Sequence, residues 1–588
     1  MALVIGKMHM TNFREHENSS FHKTSSIKWF NKTKQKKSCA SLVYQQHSSE
    51  IEFNRSCLVE LTRIIIFLSK QGISFRGHDE NISSKNKGNF KELVNFISSH
   101  YSQDLKKFIT NQNFNYLSPD TQNEILNIIA DDLRSKILSD VQNNRFYSLI
   151  VDGTTDISCK EQISFCFRFC DNKFQIHEKF VEFFLVENTT GEVLYDLVKN
   201  VLKEKKLSLN NMVAQCYDGA SNMSGQYKGL AARVKTDAPQ AVYVHCYAHR
   251  LNLALQDACR AVTEVSETME NVNAVYRCIE GSSKRNQIFE QIQLELKVSK
   301  LKLANFCETR WCSRFSALKA LNENFRIVLE ALTEIKSIDK NSTASYVYAL
   351  IYSFEFMFYL DVLTLVFGLT NILSVEIQKI SLDYSNVKIL ANCTVEKLFN
   401  LKNFYYVNFC QIVNSIVETI KESFESSSVD PISAIFQIIT STKKPEIHII
   451  NNCLQIYSKL LDEKRLYTEL DLWYSFKRSL GFDINIFHRD DKSEKLRELF
   501  LNPNVDKIFP NITILYRIYL SIPISNANSE RSFSSLRRLK TYLRSTMQEQ
   551  RLNDIAILNM EIEEIHRLDE NQILETFALK KNRRLKFF

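Results

Sequence analysis

A mixed α/β fold is what the sequence predicts: one five-stranded sheet in a chain that is otherwise helical. Three observations carry it. Gly and Pro number only 12 and 7 in 588 residues, about 2% and 1% against average usages of about 7% and 5%, so turns are scarce and helix should dominate outside the sheet. Three β-rich runs follow one another at 145–156, 162–171 and 174–186, parted by short turns. Helix and strand then alternate to residue 246, after which helical periodicity takes over. At 588 residues the chain also exceeds the roughly 250–300 residues that one core holds, so several domains are expected.

The elements are justified in chain order. Residues 1–48 are polar and basic, with KTKQKKS at 32–38, and read as a flexible arm. From 49 to 142 apolar residues recur three and four apart, as in CLVELTRIIIFLSKQG, which stops at Gly72; this is a helical domain. The three β-rich runs form a meander. An amphipathic helix follows in GEVLYDLVKNVLKEKKL, then a strand NNMVAQCY ending at Asp218, a short helical stretch, and a fifth strand AVYVHC. That is the order of a ribonuclease H-like core, covering 143–256 with one helix still to come.

Residues 257–500 read as a single all-α insertion. Within it VYALIYSFEFMFYLDVLTLVFGL (347–369) is apolar enough to raise a membrane span, but it contains Glu355 and Asp361 and reads as a buried bundle helix. The last part of the core, 501–565, holds two prolines, a polar turn, and a helix that Ser529 is placed to cap, with Glu530 in its first turn. Residues 566–588 read as a frayed basic tail.

Composition excludes some classes. Hydrophobic content of 44% rules out global disorder, and a net charge of +8 from 75 basic and 67 acidic residues permits nucleic acid binding without demanding it. The 14 cysteines include no C-x-x-C pair. With no signal peptide and no uninterrupted apolar run of about 18 residues, reduced thiols in a cytosolic or nuclear protein are the simplest reading.

The chemistry lies in carboxylates. Asp152 interrupts the apolar run SLIV of the first strand, and Asp218 ends the fourth before the small residues Gly219, Ala220 and Ser221. Strands one and four are neighbours in a ribonuclease H-like sheet, so both acids should meet at one edge, and Glu530 is placed to join them. Hard oxygen ligands of this kind suit Mg²⁺ or Mn²⁺. Single acids at strand ends are more often turn or capping groups, and Asp156, an alternative ligand close to Asp152, reads by the pleat as a turn or rim residue instead. Cys246 and His249 have C-x-x-H spacing without a second ligand pair, which favours a hydrogen-bonding or packing role over zinc. Trp311, between Arg310 and Arg314, is either core or a platform for an unpaired base.

Taken as an ordered set, IVDGTTD, CYDGASNM, HCYAHRLNLAL, TRWCSRFSAL and SNANSERSFSSLRRLKTYLRSTMQEQRL resemble the hAT superfamily of DNA transposases, in the branch related to the zinc finger MYM-type proteins, over about residues 50–565. The resemblance implies metal-dependent DNA cleavage and joining with Asp152, Asp218 and Glu530 as the triad. It implies a ribonuclease H-like fold split by the helical insertion, a place for Trp311 at the flipped base of a hairpin end, and self-association through about 505–562. Transposon ends and hairpin intermediates would be its DNA partners, and the nucleus its location. FRGHDENISSKNKGNFKELVNFI (75–97) is similar to the helical leader of that group.

His16 and His22 are spaced like the trailing pair of a TTF-type zinc finger, with no cysteine before Cys39. The chain is therefore expected to begin inside the finger, as a truncated element copy would, and to bind no zinc there. The alternative to a transposase is a domesticated, catalytically silent nuclear protein acting as a DNA- and protein-binding, dimerising scaffold in gene regulation.

Overall fold

The computed structural model describes residues 13–34, 39–81, 83–110, 116–298, 302–304, 311–339, 342–380, 384–401, 407–425, 431–482, 492–583 and 585–587. The chain divides into two compact units, Met1–Asp132 with Glu563–Phe588, and Leu133–Ile562.

The first unit is built on α1 (Cys39–Lys70), α2 (Asn89–His100) and α3 (Gln103–Thr110), which pack on one another. Their three-and-four spacing buries Leu58, Leu61, Ile65, Val94, Leu105 and Phe108. Within the stretch expected as a flexible arm, Ser20–Lys34 is a helix and α1 starts at Cys39. No Gly or Pro interrupts either stretch. Within the leader-like stretch 75–97 the helix starts at Asn89. Before it the chain closes a loop, because Gly88 at φ +91° lies so close to Gly77 that a Cβ there would sit 2.1 Å from the Gly77 nitrogen.

The tail is docked, not frayed. Helix Glu570–Leu579 packs on α1, and Arg63 pairs with Glu570 at 2.7 Å. Arg583 pairs with Glu124 at 2.9 Å and lies 3.7 Å over the Phe577 ring, while Phe587 is buried beside Phe577 and Tyr116. The basic composition of the tail masked its aromatic anchor.

α4 (Pro119–Asn143) carries the chain from the first unit into the second and ends just ahead of the sheet. Along the chain come β1 (Tyr147–Thr155), β2 (Glu161–Cys170), β3 (Ile176–Val186), α5 (Gly191–Glu204), β4 (Met212–Tyr217), α6 (Leu230–Asp237) and β5 (Val242–His245). The sheet order is β3-β2-β1-β4-β5. β1, β2 and β3 pair antiparallel through short turns, whereas β4 lies parallel to β1 and β5 parallel to β4. Parallel neighbours need a crossover, which α5 supplies between β3 and β4.

Every described element after β5 is helical, beginning with α7 (Tyr247–Arg260). The apolar segment 347–369 is two helices, not one: α8 (Phe354–Ile377) starts afresh where the Ser353 hydroxyl accepts the Phe356 N–H at 3.1 Å. By length and composition α8 is apolar enough to cross a membrane. It packs against helices Trp311–Glu323 and Tyr384–Leu401, and its Asp361 accepts a 2.8 Å hydrogen bond from Asn322, as a bundle helix would.

The chain then returns to the sheet. α9 (Pro510–Ser521) and α10 (Ala527–Leu539) pack on β1 and β2, and α11 (Glu549–Met560) packs on β3. Within the stretch expected to self-associate, much of the apolar rows ITILYRIYLSI and LNDIAILNM is core of this chain. Ile512, Leu515 and Ile518 on α9, and Ile555, Ile557 and Leu558 on α11, are buried within this one chain.

α11 covers the outer edge of the sheet with polar side chains. Glu549 accepts the Leu185 N–H at 3.0 Å, Asn553 accepts the Phe183 N–H at 2.8 Å and donates to its carbonyl at 2.9 Å, and Glu561 just past the helix accepts the Phe180 N–H at 2.7 Å. An uncovered edge strand is a template for other chains. Asn553→Ala should therefore cost about 1–3 kcal/mol through the two orphaned backbone groups of Phe183, and raise aggregation; chemical denaturation with light scattering measures both.

A carboxylate cluster at the ends of two parallel strands

The sheet register brings the two aspartates level. Ile150 on β1 pairs with Cys216 on β4, and Asp152 and Asp218 each lie two residues further on, with the same side-chain parity. Asp152 is half-buried: one oxygen accepts the Gly153 N–H at 2.9 Å, the other a 3.0 Å hydrogen bond from the Asn526 amide. Asp218 closes a turn by accepting the Ala220 N–H at 3.2 Å, and its carbonyl accepts the Tyr243 hydroxyl at 3.0 Å.

Glu530 comes from the first turn of α10. That helix approaches closely because it meets the sheet through small side chains: the Ser532 hydroxyl donates to that of Ser164 at 2.8 Å, and Ser529 lies 3.7 Å from the Cys166 sulfur. Ser164 is the β2 partner of Asp152. Burial, then the nearby charge of Asp218, then that of Glu530, push the Asp152 carboxyl well above its ordinary range. Asp218 and Glu530 each lie within electrostatic reach of Asp152, and both donors to Asp152 are neutral.

The expected helix cap is corrected. α10 begins at Ala527 with Asn526 as its N-cap residue, and Ser529 lies inside the helix. The Asn526 side chain does not cap, because it is engaged with Asp152 and with Cys246, whose thiol lies 2.9 Å from the Asn526 amide oxygen. Cys246 is fully buried, and burial pushes its thiol up to about 12. The C-x-x-H cysteine is therefore a neutral hydrogen-bonding group. His249, half-exposed, stacks near His245 with ring centroids 5.8 Å apart.

His245 itself escaped the sequence reading. Its ring fills the space over Gly219, where a Cβ would come within 2.6 Å of it, so any larger residue after Asp218 would have to displace the ring. Burial, with Arg250 and His249 nearby, lowers its pKa to about 4, leaving a neutral imidazole at neutral pH. The only sequence signal was the strand-end position of His245 opposite Tyr217.

Asp156 belongs to a different structure. It is buried, forms an ion pair with Lys540, and accepts the Ser158 N–H at 2.7 Å and the Lys160 N–H at 3.2 Å. Burial alone would raise its pKa, but the hydrogen bonds from Lys540, Lys160 and Ser158 outweigh that and hold it below the usual range. A carboxyl with a depressed folded-state pKa contributes stability that is present above its unfolded value, about 3.9, and lost as pH falls through the folded one. Wild type should lose to Asp156→Asn most of its stability advantage between neutral pH and the acid side of that window, as urea denaturation across pH would show.

The remaining expected residues divide. Arg314 is half-buried on helix Trp311–Glu323; Arg310 and the Trp311 side chain lie outside the described residues. His16 and His22 stand 3.2 Å apart, nitrogen to nitrogen. Among the described residues, no three His, Cys, Asp or Glu side chains are gathered tightly enough to hold an ion. The donor set at Asp152 nonetheless fits a hard divalent cation, being all oxygen, mutually repelling and without a cation in its hydrogen bonds to Asp152.

Residues 7–229 match the family described as the ZMYM1/FAM200 RNase-like domain, 244–347 the ZBED1 RNase-like helical domain, and 492–563 the hAT family C-terminal dimerisation region. The chain is a hAT-related, transposase-derived protein. Both RNase-like matches agree with the five-stranded mixed sheet and its helical surroundings. Among curated relatives, this hAT-related chain is 22% identical over 586 residues to the mouse "52 kDa repressor of the inhibitor of the protein kinase", covering 88% of this chain and 76% of that protein. The human protein of the same name is 23% identical over 581 residues, covering 88% and 75%.

Proposed function

We propose that the chain cuts and joins DNA strands by divalent-metal-dependent phosphoryl transfer, with Asp152, Asp218 and Glu530 holding Mg²⁺ or Mn²⁺. The observation that carries this reading is the self-repelling cluster: three acids from β1, β4 and α10 raise the pKa of Asp152, an arrangement that opposes folding unless a cation is to bind. Such ions, when bound, activate a water or 3′-hydroxyl and stabilise the leaving oxygen of an in-line displacement. The chain's own part is to hold the carboxylates on β1, just past β4 and on the first turn of α10, and to place the neutral His245 ring beside the Asp218 turn. In this reading the helices of 257–500 are an insertion into the ribonuclease H-like core, Arg310, Trp311 and Arg314 face a DNA end, the 492–563 region dimerises, and the protein works in the nucleus.

A second reading, a catalytically silent nuclear scaffold in gene regulation, is favoured by the name of the relatives, a repressor, and by side chains that are not drawn into one ligand cage among the described residues. One experiment separates the two. Nicking of hairpin or element-end DNA is assayed with Mg²⁺ or Mn²⁺ and with chelator, wild type beside Asp218→Asn. Metal-dependent nicking that the variant lacks supports the first reading; DNA binding without nicking supports the second.

A further inference from the structure

The acids of the cluster come from three separated elements, and one buried side chain lies at the junction of all three. Asn526 is 2% exposed. Its amide nitrogen donates to Asp152 at 3.0 Å, its amide oxygen lies 2.9 Å from the Cys246 sulfur, and its backbone N–H donates to that sulfur at 3.3 Å. Its carbonyl accepts the Glu530 N–H at 3.1 Å, so the first turn of α10 is hung from the same residue. Cys246 completes the circuit, because its own N–H donates to the carbonyl of Tyr217, the residue before Asp218, at 3.0 Å.

The chemistry fixes which way the amide faces. In the ionised state that would bind a cation Asp152 only accepts, so there the amide nitrogen must point to Asp152 and the oxygen to Cys246. The sulfur must then carry a proton to donate, which a fully buried neutral thiol does. With the amide held at its far end, the Asp152 carboxylate cannot rotate freely. An alternative in which Asn526 merely caps α10 is not what the bonds show, since its side chain makes no cap hydrogen bond.

We propose that Asn526, locked by Cys246, is a positioning residue that sets the Asp152 carboxylate against Asp218 and Glu530 and so determines how tightly the cluster takes a divalent cation. This rests on reading the three acids as metal ligands. The cysteine of the C-x-x-H motif then acts as a proton donor that orients an amide, and is neither a ligand nor a nucleophile. Loss of a side chain that orients a metal ligand typically lowers metal affinity about 10- to 100-fold.

The test is Mn²⁺ affinity of the full chain, by calorimetry and by the electron paramagnetic resonance of free Mn²⁺, for wild type, Asp152→Asn, Asn526→Leu, Cys246→Ala and Cys246→Ser. We expect Asn526→Leu to bind about 10- to 100-fold more weakly, Cys246→Ala to be weakened in the same direction, and Cys246→Ser, which keeps a donor at the same place, to stay near wild type. The serine rescue is the readout a packing role would not produce, and the two cysteine variants keep the test open if Asn526→Leu does not fold. Wild-type affinity in Asn526→Leu and Cys246→Ala, with loss in Asp152→Asn, overturns the positioning role and leaves the metal site standing. Equal affinity, or no binding, in wild type and Asp152→Asn overturns the metal reading and the inference with it.

Discussion

Asp152→Asn, Asp218→Asn and Glu530→Gln should each lower metal-dependent DNA cleavage by about 10³-fold or more, and the triple variant should be little slower than the slowest single one. Groups that act as one unit lose most of their effect with the first removal, so their effects do not add. Stability should move the other way. The Asp152 carboxyl is pushed up by burial and by its two acidic neighbours, so without metal the cluster works against folding, and Asp152→Asn relieves it. A gain of about 0.5–2 kcal/mol in chelator, the usual scale of a single stabilising substitution, should shrink or reverse when Mn²⁺ is added, because only wild type gains from binding. Denaturation with chelator and with Mn²⁺ measures both signs. If Asp152→Asn is instead destabilised in chelator, the aspartate is a structural hydrogen-bond acceptor for Asn526 and Gly153, and the catalytic reading loses its support.

How much of this was legible depends on the range of the signal. Local patterns sufficed for the sheet: β1 to β5 fall within a few residues of the runs that alternation and apolar content marked, and the meander followed by helix-strand crossovers leaves few ways to order them. Asp152 and Asp218 stood out because each carboxylate ends an apolar run before small residues. Asn526 did not stand out, since ISNANSER offers four capping candidates within five residues and the bond that decides among them reaches 374 residues back to Asp152. His245 looked like one more alternating strand residue, and only Gly219 beneath it reveals a close approach. The docked tail and the Gly77–Gly88 loop failed for a related reason. Their anchors, Phe587 on Tyr116 and one backbone against another, are contacts between segments that no period within either segment encodes.

Removing Glu178 should be among the most costly single changes in the second unit. Arg168 interrupts the apolar strand β2, directly opposite Glu178 on β3, and the two side chains pair at 2.7 Å while only 2% and 4% exposed. The guanidinium also donates to the Leu520 carbonyl at 3.1 Å and the Ile380 carbonyl at 3.1 Å, so it joins the sheet to α9 and to the segment that follows α8. Glu178→Ala removes the buried carboxylate that pairs with this cation, and the loss should be about 3–5 kcal/mol. The double variant Arg168→Met, Glu178→Leu removes both charges and their desolvation together, and should recover most of that loss or exceed wild type. The two outcomes distinguish a pair that stabilises from one that only specifies. If the double variant is as unstable as the single, then the carbonyls of Leu520 and Ile380 depend on the guanidinium for a partner, and Arg168 is what draws the returning helix onto the sheet where α10 delivers Glu530. If the double variant is stable yet binds Mn²⁺ more weakly, the ion pair adds little to folding and instead fixes the angle at which that helix meets β1.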